Sequence, residues 1–323
     1  MADTENGIIE LNDAMITNGN FEFTGRMPEA TAVYLMSDKK DVLLATFFLE
    51  NALYTITAGP TGLIVEGGGE AQKVWKEFDV LNNHLIQSQQ TLGAQARTAT
   101  SAAQVQMLQQ KLLEVQNTVI GKENKLIARY SGSPVAAYAV AVKIPGMEYE
   151  QLSGRYELLG ADAKATFYGK RVAAAVEKLA GLAIGAVAPD FTLPLADGGV
   201  ISLHEAKAKV KVVDFWQAAN PTCRQQNLNM LQIYKRFHPR GLEIIAVSLD
   251  NNKQTWLKAV GEDGSTWKNV SDLKGPASET VTMYSVTNLP CNFIIDEENR
   301  IVAKNLYGKA LEQKIAEMLK KKK

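Results

Sequence analysis

The stretch Val212 to Arg224, VVDFWQAANPTCR, limits the fold of this chain more than any other. An apolar run with the character of a strand ends in Asp214-Phe215-Trp216. A short turn follows, and Cys223 opens an amphipathic helix carrying Leu228, Leu231 and Tyr234. A strand that turns into a helix at a cysteine is the setting of a C-x-x-C motif. The position three residues before Cys223 is Asn220, so the first thiol of such a pair is missing.

Further landmarks follow in order between residue 184 and the end. Gly185-Ala186-Val187-Ala188-Pro189-Asp190-Phe191-Thr192-Leu193 leads to an Asp197-Gly198 turn and the short strand Val200-Ile201-Ser202-Leu203. Leu242 to Asp250, LEIIAVSLD, reads as the next central strand, and Asn288-Leu289-Pro290 as a loop. Phe293-Ile294-Ile295-Asp296 with Asn299-Arg300-Ile301-Val302 reads as a closing hairpin. The ordered set resembles the extracytoplasmic thiol-disulfide oxidoreductases of the TlpA and ResA type, within the wider AhpC/TSA family. That resemblance implies an α/β thioredoxin-like domain over 184–323, with a cis peptide bond before Pro290.

With 323 residues, 46% hydrophobic and 22% charged, the chain exceeds the usual single-domain length and can bury sizeable cores. Its 35 basic and 35 acidic residues cancel, which leaves no footprint for nucleic acid or an anionic membrane surface. No run approaches the ~20 apolar residues of a membrane span, and no signal-peptide apolar segment follows Met1. The start, Met1-Ala2-Asp3-Thr4-Glu5-Asn6, reads as an export-processed protein restarted at a methionine. Relatives of the resembled type are exported and often lipid-anchored, which implies a periplasmic or cell-envelope location and a lipid anchor on the precursor. Two cysteines fit a reduced protein or a single bridge.

Two further regions precede the thioredoxin-like segment. Over 1–68 the pattern is strand-like: Ile8 to Leu11, an Asn18-Gly19 turn before Phe21 to Thr24, then Ala32 to Met36, Leu43 to Leu49, Tyr54 to Thr57 and Leu63 to Glu66. This N-terminal antiparallel β domain resembles one of uncharacterised function that precedes thioredoxin folds in Bacteroidetes proteins. Over 69–183 the period becomes helical, with Val74, Phe78, Leu81 and Leu85 on one face, Val105, Leu108, Leu112, Val115 and Val119 on another, and a later helix through Val172, Val176 and Leu179. Ser133-Pro134 and Ile144-Pro145-Gly146 break these helices. The Gln-, Ala- and Thr-rich piece from Gln87 to Gln110 keeps no heptad register for long, which predicts a packed helical insert rather than an interaction coiled coil.

The resemblance assigns the site by position. Cys223 takes the resolving position, and Asn220 replaces the nucleophile. Gln226 stands where a ResA-type acid/base glutamate would be, and an amide exchanges no proton near neutral pH. Two readings of Cys223 stand open. A helix N-terminus and the adjacent Arg224 would lower its pKa and make it reactive, whereas burial would leave it an inert small hydrophobe. The peroxiredoxin pattern fits less well, because its threonine would fall at Asn220. Asp214 matches a buried aspartate beneath the resolving cysteine, either as a base of raised pKa or as a partly solvated group bonded to a nearby amide.

Trp216 is read as a wall of a groove that also includes Pro221, Leu289 and Pro290, where an extended peptide could pair with backbone groups. Cys291 offers a second thiol, and a Cys223 to Cys291 bridge would need Cα atoms within ~7 Å and facing side chains. His84, His204 and His238 show no metal-ligand spacing, so no metal is expected, and no cofactor. Gly67-Gly68-Gly69 lacks the lysine and helix context of a phosphate loop. Lys320 to Lys323 are read as cations closing a C-terminal helix. Two functions therefore compete: a thiol-disulfide oxidoreductase acting on protein or peptide thiol and disulfide clients, or a redox-inactive binding module using the groove beside Pro290.

Overall fold

A computed structural model of the chain describes residues 1–4, 7–37, 42–60 and 62–320. It divides into two compact units, Met1–Val176 and Glu177–Lys323. In the first, β1 (Ala2–Thr4), β2 (Gly7–Ile9), β3 (Thr31–Ser37) and β4 (Val42–Leu49) form an antiparallel sheet in the order β2-β1-β3-β4. β5 (Tyr54–Gly59) and β6 (Gly62–Gly67) make a separate hairpin.

The strands differ from the expected set in two places. Ala2 to Thr4 is an inner strand, with Ala2 wholly buried. Phe21 to Thr24 is not a strand. Asn18 and Gly19 do turn the chain, with φ of 53° and 79°, but only one bridge, Thr17 to Asn20, follows from it. Phe21 and Phe23 pack on each other at 5.7 Å instead of on a sheet.

Six helices follow: α1 (Glu70–Arg97), α2 (Ala102–Arg129), α3 (Pro134–Ala141), α4 (Tyr149–Glu157), α5 (Ala161–Ala165) and α6 (Phe167–Ala180). The regions 1–68 and 69–183 share a core rather than standing apart. Phe48 of β4 packs against Trp75, Tyr138 and Tyr168 at centroid distances of 5.3 to 6.3 Å. Beyond that core α1 and α2 continue as a two-helix arm joined by residues 98–101. On α1 the buried residues stop at Phe78, and on α2 only Leu108 is buried before Val119. Gln87 to Gln110 is therefore the far end of this arm and not a packed insert, because two helices cover each other along one seam only.

The arm begins at a crowded corner. A Cβ at Gly67 would lie 2.3 Å from the Leu53 carbonyl oxygen, at Gly68 2.6 Å from Gln72, and at Gly69 2.6 Å from the Glu50 carboxyl carbon. Helix context is thus present after the glycines, but Glu50 already accepts the Gln72 amide at 3.1 Å. The triad serves close approach and leaves the helix start occupied.

The second unit contains β7 (Thr192–Pro194), β8 (Val200–Ser202), β9 (Val210–Trp216), α7 (Pro221–Phe237), β10 (Leu242–Ser248), α8 (Lys253–Asp263), β11 (Lys268–Val270), α9 (Glu279–Met283), β12 (Cys291–Asp296), β13 (Ile301–Lys304) and α10 (Gly308–Met318). Its sheet runs β11-β10-β9-β12-β13, with β9 parallel to β10 and antiparallel to β12. This is the α/β thioredoxin-like arrangement the sequence implied. All seven residues of β9 are buried, because layers cover both faces. Val212 and Trp216 pack with Cys223, Phe237, Trp256 and Ile315 on one side, and Val213 and Phe215 with Phe191, Tyr284 and Phe293 on the other. Lys320 follows α10, while Lys321 to Lys323 lie outside the described residues.

Candidate active site

The turn after β9 is built by backbone capture. The Asp250 carboxylate accepts the Ala218 amide at 3.1 and 3.2 Å and the Ser248 hydroxyl at 2.8 Å, which fixes where the chain leaves the strand. Asn220 is the N-cap of α7. Its side-chain oxygen accepts the amides of Thr222 at 2.9 Å and Cys223 at 3.2 Å, and Pro221 fills the first helical position, where no amide is needed. The amides that would stabilise a thiolate at position 220 are therefore taken by a neutral amide oxygen.

Cys223 lies one turn deeper, 1% exposed. Burial pushes its thiol up to about 11; backbone hydrogen bonds from Gln217 and its own amide pull the other way, and the negative charges of Asp214 and Asp250 add to the rise. The helix N-terminus does not make it acidic. Arg224 does not help either. Its guanidinium is held by Asp263 at 2.7 and 2.8 Å and by Glu262 at 3.0 Å, toward α8. Of the two readings of Cys223, the geometry matches the buried one. Gln226 is half-buried and accepts the Asn229 amide at 3.3 Å.

Asp214 is 1% exposed, and among the described residues neither carboxyl oxygen has a hydrogen-bond partner. Burial alone pushes it up to about 8. The partly solvated alternative is thereby corrected. Asn292, its register partner on β12, cannot serve it, because the Asn292 side chain donates to the Leu306 carbonyl at 2.8 Å and accepts the Leu306 amide at 3.1 Å.

Trp216 is also corrected. At 1% exposed it belongs to the core beside Cys223, because strand alternation places residues 212, 214 and 216 beneath the helices, so it walls no open groove. Pro221 is exposed, and Leu289 and Pro290 are half-buried, with the bond between them cis. Cys291 packs against the opposite core layer from Cys223, so bridging the two sulfurs would require backbone movement.

One site residue escaped the sequence reading. Tyr307, the N-cap residue of α10, donates its hydroxyl to the Pro290 carbonyl at 2.8 Å. Burial raises its pKa, and Cys291, Asp214 and Cys223 add to the rise. The only sequence signal is an aromatic just before Gly308 at a helix start. A cavity of about 670 Å³ lies on the flank between α7 and α10, lined by Leu228, Gln232, Arg236, Gly308 and Glu312. The histidines are dispersed: His84 is exposed on α1, His204 bonds the Ala188 carbonyl at 2.7 Å, and His238 stacks on Tyr234. Among the described residues no group of three or more His, Cys, Asp or Glu is placed to hold a metal ion, and no helix is long and apolar enough to cross a membrane.

Comparison with known proteins finds relatives for both ends of the chain. Residues 184–304 match the AhpC/TSA family, and residues 2–74 match a domain of unknown function, DUF4369. The thiol-disulfide oxidoreductase ResA of Bacillus thuringiensis subsp. konkukian is 27% identical over 143 residues, covering 43% of this chain and 78% of that protein. The thioredoxin domain of a thiol-disulfide oxidoreductase from Bacteroides vulgatus is 33% identical over 43% of this chain and 99% of its own, with a TM-score of 0.41. A thiol:disulfide interchange protein from Bacteroides sp. is 33% identical over 44% of this chain and 93% of its own, also with a TM-score of 0.41. Through its C-terminal unit, the chain belongs to the AhpC/TSA family, among thioredoxin-fold thiol-disulfide oxidoreductases of the TlpA/ResA type.

Proposed function

We propose that this family member has lost C-x-x-C dithiol turnover and acts in the cell envelope as a binding module for peptides or small ligands. The surface between the turn at Pro221 and the Leu289–Pro290 loop holds the ligand, and the clients are those of its relatives, protein or peptide thiols and disulfides. The observation that carries this reading is the cap at Asn220: a neutral side chain uses the amides that a nucleophilic thiolate would need, above a Cys223 that is buried and weakly acidic. Asp214 remains as a buried proton holder beside Cys223 with no thiolate at position 220 to serve.

Dithiothreitol-driven insulin reduction, run beside thiol titration of native and Cys223→Ala protein, tests it. Native protein is expected to match Cys223→Ala in turnover, with Cys223 titrating only after unfolding. Catalysis that depends on Cys223 would sink the proposal. In Asn220→Cys the missing thiol returns, and turnover is expected to appear.

A further inference from the structure

The arm of α1 and α2 belongs to the first unit, and Asn220 to the second. Between Val80 and Gln110 its only Lys, Arg, Asp or Glu is Arg97. Its seam is covered from one side, so Leu85, Leu92 and Leu112 stay half-exposed. Five apolar side chains of the arm stand clear of the seam: Val80 at 67% and Met107 at 51% exposed, each one position before a seam residue and so on one side, and Ile86 at 48%, Leu113 at 50% and Ile120 at 45% exposed on the other.

Ile86, Leu113 and Ile120 share one face. Ile86 and Leu113 stand equally far from the 98–101 turn, so they lie at the same height on the two helices. Each of the three follows a seam residue, Leu85, Leu112 or Val119, by one position, and equal offsets in an antiparallel pair fall on the same side. The four neighbours of Ile86 at three and four positions either side are all Asn or Gln, and so are the four of Leu113.

We propose that this face is where two copies of the chain associate, the arm of one lying on the arm of the other to close a four-helix bundle. An amide carries both a donor and an acceptor, so a face framed by amides complements an identical face, as a two-fold interface requires. A nucleic acid or an anionic membrane finds no row of cations here. The size is also sufficient. The distal arm is ~27 Å long and ~20 Å across its two helices, which gives roughly 540 Å² per copy and roughly 1,100 Å² in all, above the ~1,000 Å² expected of a specific interface. A second arm would cover the open side of the seam, as in helix bundles generally.

Sedimentation velocity on the full chain, from low to high micromolar concentration, tests the proposal. A reversible monomer–dimer equilibrium is expected, weakened about tenfold or more in the Leu113→Lys, Ile120→Lys double variant. Val200→Lys, an exposed position of the second unit, is expected to leave it unchanged. Mixing Leu113→Lys chains with Leu113→Glu chains is expected to restore association, a result that a folding defect cannot produce. A chain monomeric over the whole range, or a dimer indifferent to the double substitution, overturns the proposal.

Discussion

Two buried carboxyl groups in this molecule are handled in opposite ways. In the first unit Glu123, 2% exposed, pairs with Lys143 at 2.5 Å and with the buried Arg155, which ties α2 to α4 and to the chain after α3. In the second unit Asp214, 1% exposed, has no hydrogen-bond partner among the described residues on either oxygen and keeps its proton up to about pH 8. Partners let a carboxylate remain charged inside a core, and their absence makes it hold a proton. The first arrangement is architecture, whereas the second leaves a proton stored beneath the turn where the rest of a redox site would stand.

Removing one side of the ion cluster breaks this contrast most severely. Glu123→Ala strands Arg155 and is expected to cost about 3–5 kcal/mol, read by urea denaturation. Asp214→Asn runs the other way. Below the ordinary value of 3.8 both folded and unfolded Asp214 are protonated, so the group contributes nothing. Between 3.8 and about 8 the folded chain keeps a proton that the unfolded chain releases, so stability falls as pH rises, by at most about 1.4 kcal/mol per unit, and levels off above 8. The asparagine variant lacks this slope. Its advantage, on the order of 3 kcal/mol once water penetration tempers the ideal value, is expected to be largest at pH 8 and above and to vanish near pH 4 in paired thermal melts.

Smaller changes sharpen the contrast at the turn itself. Asn220→Ala leaves two amides without their acceptor and is expected to destabilise by about 1 kcal/mol, without raising thiol reactivity, in parallel denaturation and thiol titration. Tyr307→Phe removes the bond to the Pro290 carbonyl and is expected to cost about 0.5–1.5 kcal/mol, with faster amide hydrogen exchange around Leu289 as its local signature.

The route from β9 into α7 and the closing hairpin were legible because each is a local pattern, apolar runs broken by turn residues at short range. Asn220 and Gln226 were legible as chemistry for the same reason. Trp216 was not, since a strand covered on both faces shows no alternation from which its side can be read. The effect of Arg224 on Cys223 stayed open because its partners, Glu262 and Asp263, arrive from α8, far along the chain. Tyr307 reaches the site only after β12 and β13 have brought the chain back. Phe21 to Thr24 has strand composition without a neighbouring strand to complete it, and the far end of the arm has helical composition without a third layer.

The glycine corner at the root of the arm has a mechanical consequence. Any side chain at Gly67, Gly68 or Gly69 would meet Leu53, Gln72 or Glu50 well inside contact distance. The backbone there has little room to swivel: Gln72 donates to Glu50 on one side and accepts the Phe48 amide at 2.9 Å on the other. The arm is thus a lever clamped at its base. Whatever meets its tip does so at a pitch set by the sheet, with the 28 residues of α1 between them.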